Sequence, residues 1–263
     1  MQSSLSHSYV TVVPAYKAEL TAAETYSLLQ LRRLLVRNIT LVCPKDLDVS
    51  AYLSHVPDLQ IIRLSNEHFI SVQSYNALML KPWFYELFTN DYKWIFVHQL
   101  DAFLLTNQIN EFCELGYDYF GAPWLTGFPQ YRFLFNRHPI KINWRRFQVG
   151  NGGLSLRHLE KTVDLLQRKQ GHISNTFFME DAFFGYWGSI DASFHACPAH
   201  IAAIFSLESH PEHWMKLTNK LPMGFHGYEV WSQDFYKPVL ESAYAEIITE
   251  FPQLQKLVQA SYT

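Results

Sequence analysis

Acidic side chains that border apolar runs are the residues in this sequence best suited to chemistry. Asp101 closes an apolar run that begins at Trp94, and the pair Glu180-Asp181 stands between two phenylalanine-rich stretches. A carboxylate at the end of a strand can hold a hard cation such as Mn²⁺ or Mg²⁺, and one among apolar side chains can act as a general base. We therefore interpret Asp101 as a candidate metal ligand and the acidic pair as a candidate site of proton abstraction.

Both acidic sites also have a purely structural interpretation. Asp101 can be a solvated loop residue that caps Thr106 or a nearby backbone group. Glu180 and Asp181 can begin a helix, because the positive end of the helix dipole favours negative charge. At this point the residues alone leave the two interpretations of each site open.

Two glycine-rich segments are further candidates. Gly150-Asn151-Gly152-Gly153 either brings backbone close to a ligand or forms a plain tight turn. Gly224-Phe225-His226-Gly227 places an imidazole between glycines, where it can reach a metal, although a lone histidine is more often structural. Neither segment matches a dinucleotide-binding fingerprint or a P-loop, and the 12 histidines contain no HExxH or HxH pair. We therefore predict neither a dinucleotide-binding site, nor a P-loop, nor the zinc site of a hydrolase.

An alternation of strands and helices must position these candidates. Three β-branched runs, 9–14, 39–44 and 59–64, predict buried strands separated by helices. Thr21 and Glu24 form a capping box that predicts the start of the first helix. Because strands connected through helices run parallel, the N-terminal half is predicted to be a parallel α/β sheet.

A fourth strand is predicted from Trp94 to Asp101, after a short helix that begins at Pro82. In open α/β sheets, ligands bind beyond the carboxyl ends of the strands. Asp101 is therefore predicted to lie where ligands bind.

Two helical regions are predicted in the C-terminal half. Apolar residues at 156, 159, 163 and 166 predict one amphipathic helix after the glycine-rich turn, ended by Gly171. Residues 238–258 predict one or two further helices, interrupted at Pro252.

The segment from Gly116 to Arg146 has no hydrophobic periodicity and is rich in Tyr, Trp, Pro and Gly. We interpret it as a functional loop or flap that borders a ligand cleft; the alternative is a packed surface excursion. Aromatic side chains suit sugar faces and arginines suit phosphate. The residues concerned are Trp124, Tyr131, Trp144, Arg132, Arg137, Arg145 and Arg146.

Composition favours a single folded domain over residues 1–263, since 48% of the residues are hydrophobic and 17% are charged. A net charge of -3 without a basic stripe argues against nucleic acid as a partner. No 18-residue apolar run and no signal-peptide pattern is found, so we expect a cytoplasmic protein without a transmembrane segment. The three separated cysteines indicate reduced thiols rather than disulfides.

Taken in order, the motifs resemble a glycosyltransferase-like family of the GT-A type that is catalogued largely as a domain of unknown function. The resemblance spans roughly residues 9 to 231. It implies an α/β, GT-A-like fold, in which a Rossmann-like nucleotide-binding sheet joins a mixed acceptor-binding half. The motifs that carry it are Gln99-Leu100-Asp101, Gly116 to Trp124, Gly150 to Gly153, Glu180-Asp181 and Gly224 to Gly227.

The resemblance also implies roles for individual residues. Asp101 matches the last acid of the DxD metal motif, with Gln99 in place of the first acid, and His226 matches a histidine that completes the metal site. Asp181 matches the catalytic aspartate of inverting members, and Glu180 is implied to hold acceptor hydroxyls. Contacts with donor or acceptor are implied for Val13, Pro14, Tyr16, Gln99, Asn151, Gly152, Gly153 and Trp124.

The activity implied by the resemblance is the transfer of a sugar, of the hexosyl type, from a nucleotide diphosphate donor to a glycan or glycolipid hydroxyl. Mn²⁺ or Mg²⁺ is the expected cofactor, inversion is favoured over retention, and the expected process is polysaccharide biosynthesis. A glycolipid acceptor is compatible with peripheral association with a membrane. Because Gln99 replaces an acid, the alternative is an inactive nucleotide-sugar or glycan-binding module. A metal-assisted phosphohydrolase is a third reading.

Overall fold

A computed structural model describes residues 9–35, 39–126, 130–134, 138–142, 148–176, 179–228 and 233–252. At 130–134, 138–142, 174–176 and 233 the backbone alone is described. The strands, in chain order, are β1 (Tyr9–Pro14), β2 (Ile39–Pro44), β3 (Gln60–Leu64), β4 (Trp94–His98), β5 (Ala102–Leu104), β6 (Tyr119–Phe120), β7 (Gln130–Leu134), β8 (His138–Ile142), β9 (Leu154–His158), β10 (Ser206–Leu207) and β11 (Gly224–His226).

Helices separate most of the strands, and one 3₁₀ turn (Asn66–Phe69) precedes α3. The α-helices are α1 (Ala22–Leu34), α2 (Ser50–His55), α3 (Val72–Met79), α4 (Pro82–Glu86), α5 (Ile109–Cys113), α6 (Leu159–Arg168), α7 (Gln170–Thr176), α8 (Glu180–Gly188), α9 (Ala199–Phe205), α10 (Pro211–Thr218) and α11 (Gln233–Glu250).

The central sheet has six strands in the order β3-β2-β1-β4-β9-β6. The first four run parallel, whereas β9 pairs antiparallel with both β4 and β6. Strand β4 is buried along its whole length, as is typical of a parallel strand covered on both faces. The fold is therefore the predicted α/β type, with a Rossmann-like parallel half and a mixed second half.

A second sheet, β10-β11-β5, lies beside the first. In it β11 pairs antiparallel with β5, so that His226 is opposite Ala102, the residue after Asp101. A second apolar core packs on this sheet, formed by residues of β5, β11, α1 and α11 such as Phe103 and Phe225. The candidate metal ligands are therefore adjacent because two strands pair.

Local signals in the first half predicted the elements well. Thr21 caps α1, with the reciprocal contacts of a capping box to Glu24. Pro82 opens α4, as its missing N–H favours. The predicted bounds of β1 and β2 are confirmed, and β3 begins one residue later than predicted.

The amphipathic helix predicted to follow the glycine-rich turn is wrong in its first part. Residues 154–158 form β9, in the centre of the sheet, and α6 begins only at Leu159. Short apolar runs do not distinguish a buried strand from a helix, and here pairing with β4 decides. Gly171 does not end this helix; it lies inside α7.

The segment 116–146 is not irregular throughout. It contributes β6 to the central sheet, and β7 and β8 form a separate antiparallel hairpin. Tyr131 and Arg132 lie in β7, whereas Arg137, Trp144, Arg145 and Arg146 lie outside the described residues.

At the C-terminus one helix, α11, begins before Pro238 and includes it. This helix ends at Glu250, ahead of Pro252. Across the described ranges, no helix combines the length and apolar character needed to cross a membrane.

Candidate active site

The site begins at the turn between β4 and β5. Because β4 ends at His98, Asp101 lies within this turn and not at the end of the strand, which corrects the prediction. The backbone N–H of Gln99 donates to the carbonyl of Gly153 (2.8 Å), and that of Gly227 donates to the carbonyl of Asp101 (3.0 Å). The turn is thereby attached to both glycine-rich segments.

Asp101, Gln99 and His226 come together at this turn. His226 Nε2 is 3.2 Å from Asp101 Oδ1 and 3.2 Å from Gln99 Oε1. Burial alone would raise the pKa of Asp101, but the hydrogen bond and charge of His226 outweigh it and lower the pKa. Burial lowers the pKa of His226, but its contacts with Asp101 and Glu208 prevail and raise it to about 9.

This donor set fits a hard divalent cation. Two ligand atoms about 2.1 Å from one ion, in perpendicular directions, are about 3 Å apart, close to the observed separation of Asp101 and His226. In the part of the chain that is described, no group of three or more His, Cys, Asp or Glu side chains could hold a metal. Asp101, His226 and Gln99 would therefore offer such an ion one carboxylate, one imidazole and one amide oxygen, and Mg²⁺-type sites commonly complete a set of this kind with substrate phosphates and water.

Glu208 is a site residue that the sequence analysis missed. It follows β10, whose parallel pairing with β11 places it beside His226. Its Oε1 is 3.4 Å from His226 Nδ1, a buried atom without a regular hydrogen bond among the described residues. Nε2 is hydrogen-bonded to Asp101 in this structure; if a metal took the place of the Nε2 proton, a carboxylate on the Nδ1 side would hold the other proton and orient the ring. Only the strand pairing brings these residues together.

The glycine-rich turn lies between His226 and the acidic pair. A Cβ on Gly153 would overlap the His226 ring, and a Cβ on Gly152 would overlap the carboxylate of Glu180. Asn151, which precedes these two glycines, is buried and has φ 55°, a left-handed conformation that asparagine tolerates better than most residues. These glycines are thus explained by protein side chains that pack on the backbone.

Trp124 packs on the same turn. Its ring occupies the space that a Cβ on Gly150 would need, and its backbone N–H donates to the carbonyl of Gln148 (2.8 Å). Its place in the structure is therefore against the glycine-rich turn, and it does not line the pocket described below.

Helix α8 begins with the acidic pair, and both acids occupy its first turn. The interpretation that Glu180 and Asp181 begin a helix is therefore correct. Glu180 is 3% exposed, and its Oε1 accepts a hydrogen bond from Arg157 Nη2 (2.9 Å). Its Oε2 is buried and has no hydrogen-bond partner among the described residues. This enclosure does not fit the implied role of Glu180 as a ligand for acceptor hydroxyls.

Arg157 is the buried partner of Glu180. Its guanidinium also donates to Ser155 Oγ (3.0 Å) and Tyr85 Oη (2.6 Å), and it lies over the Phe184 ring at 4.7 Å. The sequence analysis missed Arg157 because it assigned the surrounding residues to a helix.

Asp181, in contrast, is only partly buried. Its Oδ1 accepts a hydrogen bond from the backbone N–H of Ala182 (2.6 Å). Burial, assisted by the charge of Glu180, raises the pKa of Asp181 to about 7. An increase is what an apolar environment produces in a carboxyl group, because it disfavours the charged form.

A pocket of about 500 Å³ opens where β1 and β4 end. The parallel strands extend from β1 in one direction through β2 and β3 and in the other through β4, so this is a topological switch point. Val13 is wholly buried in the core and does not line the pocket, contrary to its predicted role. The lining residues are Pro14, Ala15, Tyr16, Lys17, Glu24, Tyr52, Phe69, Ile70, Ser71, Val72, Tyr75, Gln99, Leu100 and Asp101.

Solved structures with a similar fold include glycosyltransferases. Mouse xyloside xylosyltransferase 1 in its apo form aligns with a TM-score of 0.51 and 15% identity, over 83% of this chain and 97% of that chain. The glycosyltransferase GlyE of Streptococcus pneumoniae TIGR4 gives a TM-score of 0.49 and 12% identity, over 94% of this chain and 63% of that chain. The architecture is therefore that of a glycosyltransferase-like, GT-A-type fold.

Residues 58–226 match the family described as "Protein of unknown function (DUF5672)". Because the match covers more than half of the chain, the protein belongs to this family. A comparison with curated proteins found no match.

Proposed function

We propose that this protein is a glycosyltransferase that moves a sugar, of the hexosyl type, from a nucleotide diphosphate donor to a hydroxyl of a glycan or glycolipid. One observation carries the proposal. A series of contacts leads from the switch-point pocket, whose wall contains Asp101, through His226 and the glycine-rich turn to Glu180, and the next residue in the chain is Asp181, a carboxylate whose pKa is raised to about 7. These contacts support the assignment of the pocket to the donor and of Asp181 to the base.

The pocket suits a nucleotide in size and lining. Its volume of about 500 Å³ is typical of small-molecule sites, and its walls carry aromatic side chains that can stack on a base. Tyr16 at its mouth is 66% exposed, which leaves its ring free for such a contact.

The charges of the pocket support dependence on a divalent cation. Lys17 is the single basic residue among those that line it, and its Nζ is already 2.7 Å from Glu24. With Asp101 in the same wall, a diphosphate would meet net negative charge. Asp101, His226 and Gln99 would hold Mn²⁺ or Mg²⁺, which when bound offsets the charge that develops on the departing nucleotide.

Asp181 is the proposed general base. It accepts the proton of the acceptor hydroxyl while the acceptor oxygen bonds to the anomeric carbon of the donor sugar. The bond from that carbon to the phosphate oxygen breaks, and its electron pair leaves with the nucleoside diphosphate. Because Glu180 is enclosed, it is poorly placed as a nucleophile, which favours a single displacement with inversion.

The test is a panel of nucleotide sugars, with and without Mn²⁺, scored by thermal shift and by release of nucleoside diphosphate. One donor should raise the unfolding midpoint in a Mn²⁺-dependent manner and be consumed when glycan or glycolipid acceptors are added. Asp101→Asn should lose the Mn²⁺-dependent shift.

Two other results would contradict the proposal. Binding without turnover by any acceptor would identify an inactive binding module, as the replacement of an acid by Gln99 would allow. Release of sugar phosphate or nucleoside monophosphate would identify a phosphohydrolase.

A further inference from the structure

Glu180 is conspicuous because its burial separates it from any substrate. Its side chain is 4% exposed and that of Arg157 is 0% exposed. Substrate hydroxyls therefore reach neither of them, so any effect of the pair on the chemistry passes through a neighbour. The neighbour on the chain is Asp181, in the same first helical turn.

The pair is held firmly in place. Tyr85 and Ser155 accept hydrogen bonds from Arg157, and the rings of Phe184 and Tyr119 lie at 4.7 and 5.6 Å from its guanidinium carbon. On the other side, the backbone at Gly152 packs directly on the Glu180 carboxylate, where a Cβ would not fit.

The backbone of Glu180, at the N-terminus of α8, is also held in place. The backbone N–H of Glu180 donates to Asn76 Oδ1 (3.1 Å), and the Asn76 amide in turn donates to the carbonyl of Val72 (2.9 Å). The Glu180 carboxylate is therefore a fixed charge, anchored at the side chain and at the backbone.

The groups that face Asp181 are mostly negative. Burial raises the pKa of Asp181 most, and the charges of Glu180 and Glu208 raise it further, whereas the backbone N–H of Ala182 and the charge of Arg157 lower it. Glu180 is adjacent to Asp181 in the first turn of α8, whereas Arg157 reaches Glu180 from β9, so the negative member of the pair is the direct neighbour of Asp181. Tyr119, also close to Asp181, is wholly buried and its pKa is raised, so it stays neutral.

We propose that Arg157 and Glu180 are positioning residues that set the basicity of Asp181. Arg157 holds the Glu180 carboxylate in place through their buried ion pair, and the negative charge of Glu180, next to Asp181 in the same helical turn, makes Asp181 a stronger proton acceptor than its partial burial alone would. The role of Asp181 in transfer rests on the proposed function, but the electrostatic relation is a property of the free protein. It can therefore be measured without a substrate.

The experiment is an NMR titration of protein labelled with ¹³C at the aspartate carboxyl groups, with Asp181→Asn to assign the resonance. In the wild-type protein the Asp181 midpoint should lie well above that of an ordinary aspartate. In Glu180→Gln it should fall by about one pH unit or more, because the neighbouring charge is removed. Glu160→Gln, the same change at an exposed position in the first turn of α6, should leave the midpoint unchanged.

A second variant covers the case in which Glu180→Gln does not fold, since it leaves Arg157 buried without its anionic partner. Arg157→Met/Glu180→Leu removes both charges with apolar replacements, an exchange that buried ion pairs often tolerate. Its Asp181 midpoint should also fall. Circular dichroism confirms that each variant is folded.

The results separate this inference from the proposed function. An ordinary Asp181 midpoint in the wild-type protein, or a midpoint that does not move in the folded variants, overturns the inference. If the midpoint moves as expected but no nucleotide sugar is ever consumed, the inference stands and the proposed transfer fails.

Discussion

At the scale of single residues, neighbouring acids have opposite environments. Glu180 is enclosed and paired with Arg157, whereas Asp181 is partly exposed and carries a pKa raised to about 7. Two carboxylates whose environments differ in this way commonly have different functions, one electrostatic and one in proton transfer. Asp181 is therefore the residue on which the proposed chemistry depends.

Asp181→Asn should preserve donor binding and abolish most of the transfer. The amide keeps the shape of the side chain but has no useful basicity, so turnover should fall by roughly 10² to 10⁴ while the thermal shift produced by the donor persists. The measurements are nucleoside diphosphate release and donor-dependent unfolding midpoints. Near wild-type turnover with the authentic acceptor would remove Asp181 from the mechanism, and joint loss of folding and binding would mark it as structural.

The raised pKa of Asp181 also predicts how stability depends on pH. The group is protonated in both states at pH 3, but between about pH 4 and pH 7 only the unfolded state releases the proton, so the folded state loses stability over that range. Asp181→Asn has no such loss. Its unfolding midpoint relative to wild type should therefore increase from pH 4 to pH 7 and change little above that, as measured by circular dichroism. A difference independent of pH would contradict the raised pKa.

Glu208 is expected to orient His226 for a metal. Glu208→Ala removes the acceptor beside Nδ1 and should weaken Mn²⁺ binding by roughly 10- to 100-fold. Glu208→Gln keeps an oxygen acceptor and should retain most of the affinity. The electron paramagnetic resonance signal of free Mn²⁺ measures binding directly. Equal affinity in the alanine variant would show that His226 does not need this partner.

At the scale of elements, the site depends on short strands and one turn. Pairing of β11 with β5 places His226 beside the turn that carries Asp101, and β10 adds Glu208. The glycine-rich turn before β9 then packs between His226 and Glu180. The site has few residues, but each of them is in place only because the backbones of two elements approach closely.

Gly153→Ala tests this close approach. The added methyl group would overlap the His226 ring, so His226 must move; Mn²⁺ binding should weaken and the free energy of unfolding should fall by about 1–3 kcal/mol. Gly171→Ala is the matched control, because nothing lies within 4 Å of its Cβ position in α7. It should be neutral or slightly stabilising. Equal effects of the two changes would refute the packing argument.

At the scale of the whole molecule, the topology brings the pocket that we propose for the donor and the acids to one edge of the sheet. The switch point between β1 and β4 forms the pocket, and the antiparallel β9 then directs α6 and α8 so that the acidic pair lies beyond the glycine-rich turn. The second sheet closes this edge and is covered by α1 and α11. A single sheet in which the strand direction changes at β9 thus positions the sites proposed for the donor and for the acceptor.

The sequence by itself determined the first half of the fold and most of the candidate residues. Strands β1 and β2, the capping box at Thr21 and the start at Pro82 depend on neighbouring residues, so local chemistry specifies them. The sequence also identified three candidate site residues by their neighbours. Two are acids that border apolar runs, Asp101 and Asp181, and one is a histidine in a glycine-rich segment, His226.

Only the tertiary structure decided which of these residues meet and what surrounds them. Gln99 and His226 are 127 positions apart, and Arg157 and Glu180 are 23 apart, so no local pattern links them. The strand β9 was mistaken for a helix because a short apolar run takes its conformation from its neighbours in the sheet. Burial of Glu180, exposure of Asp181 and the place of Glu208 follow from that packing, because each depends on atoms contributed by distant parts of the chain.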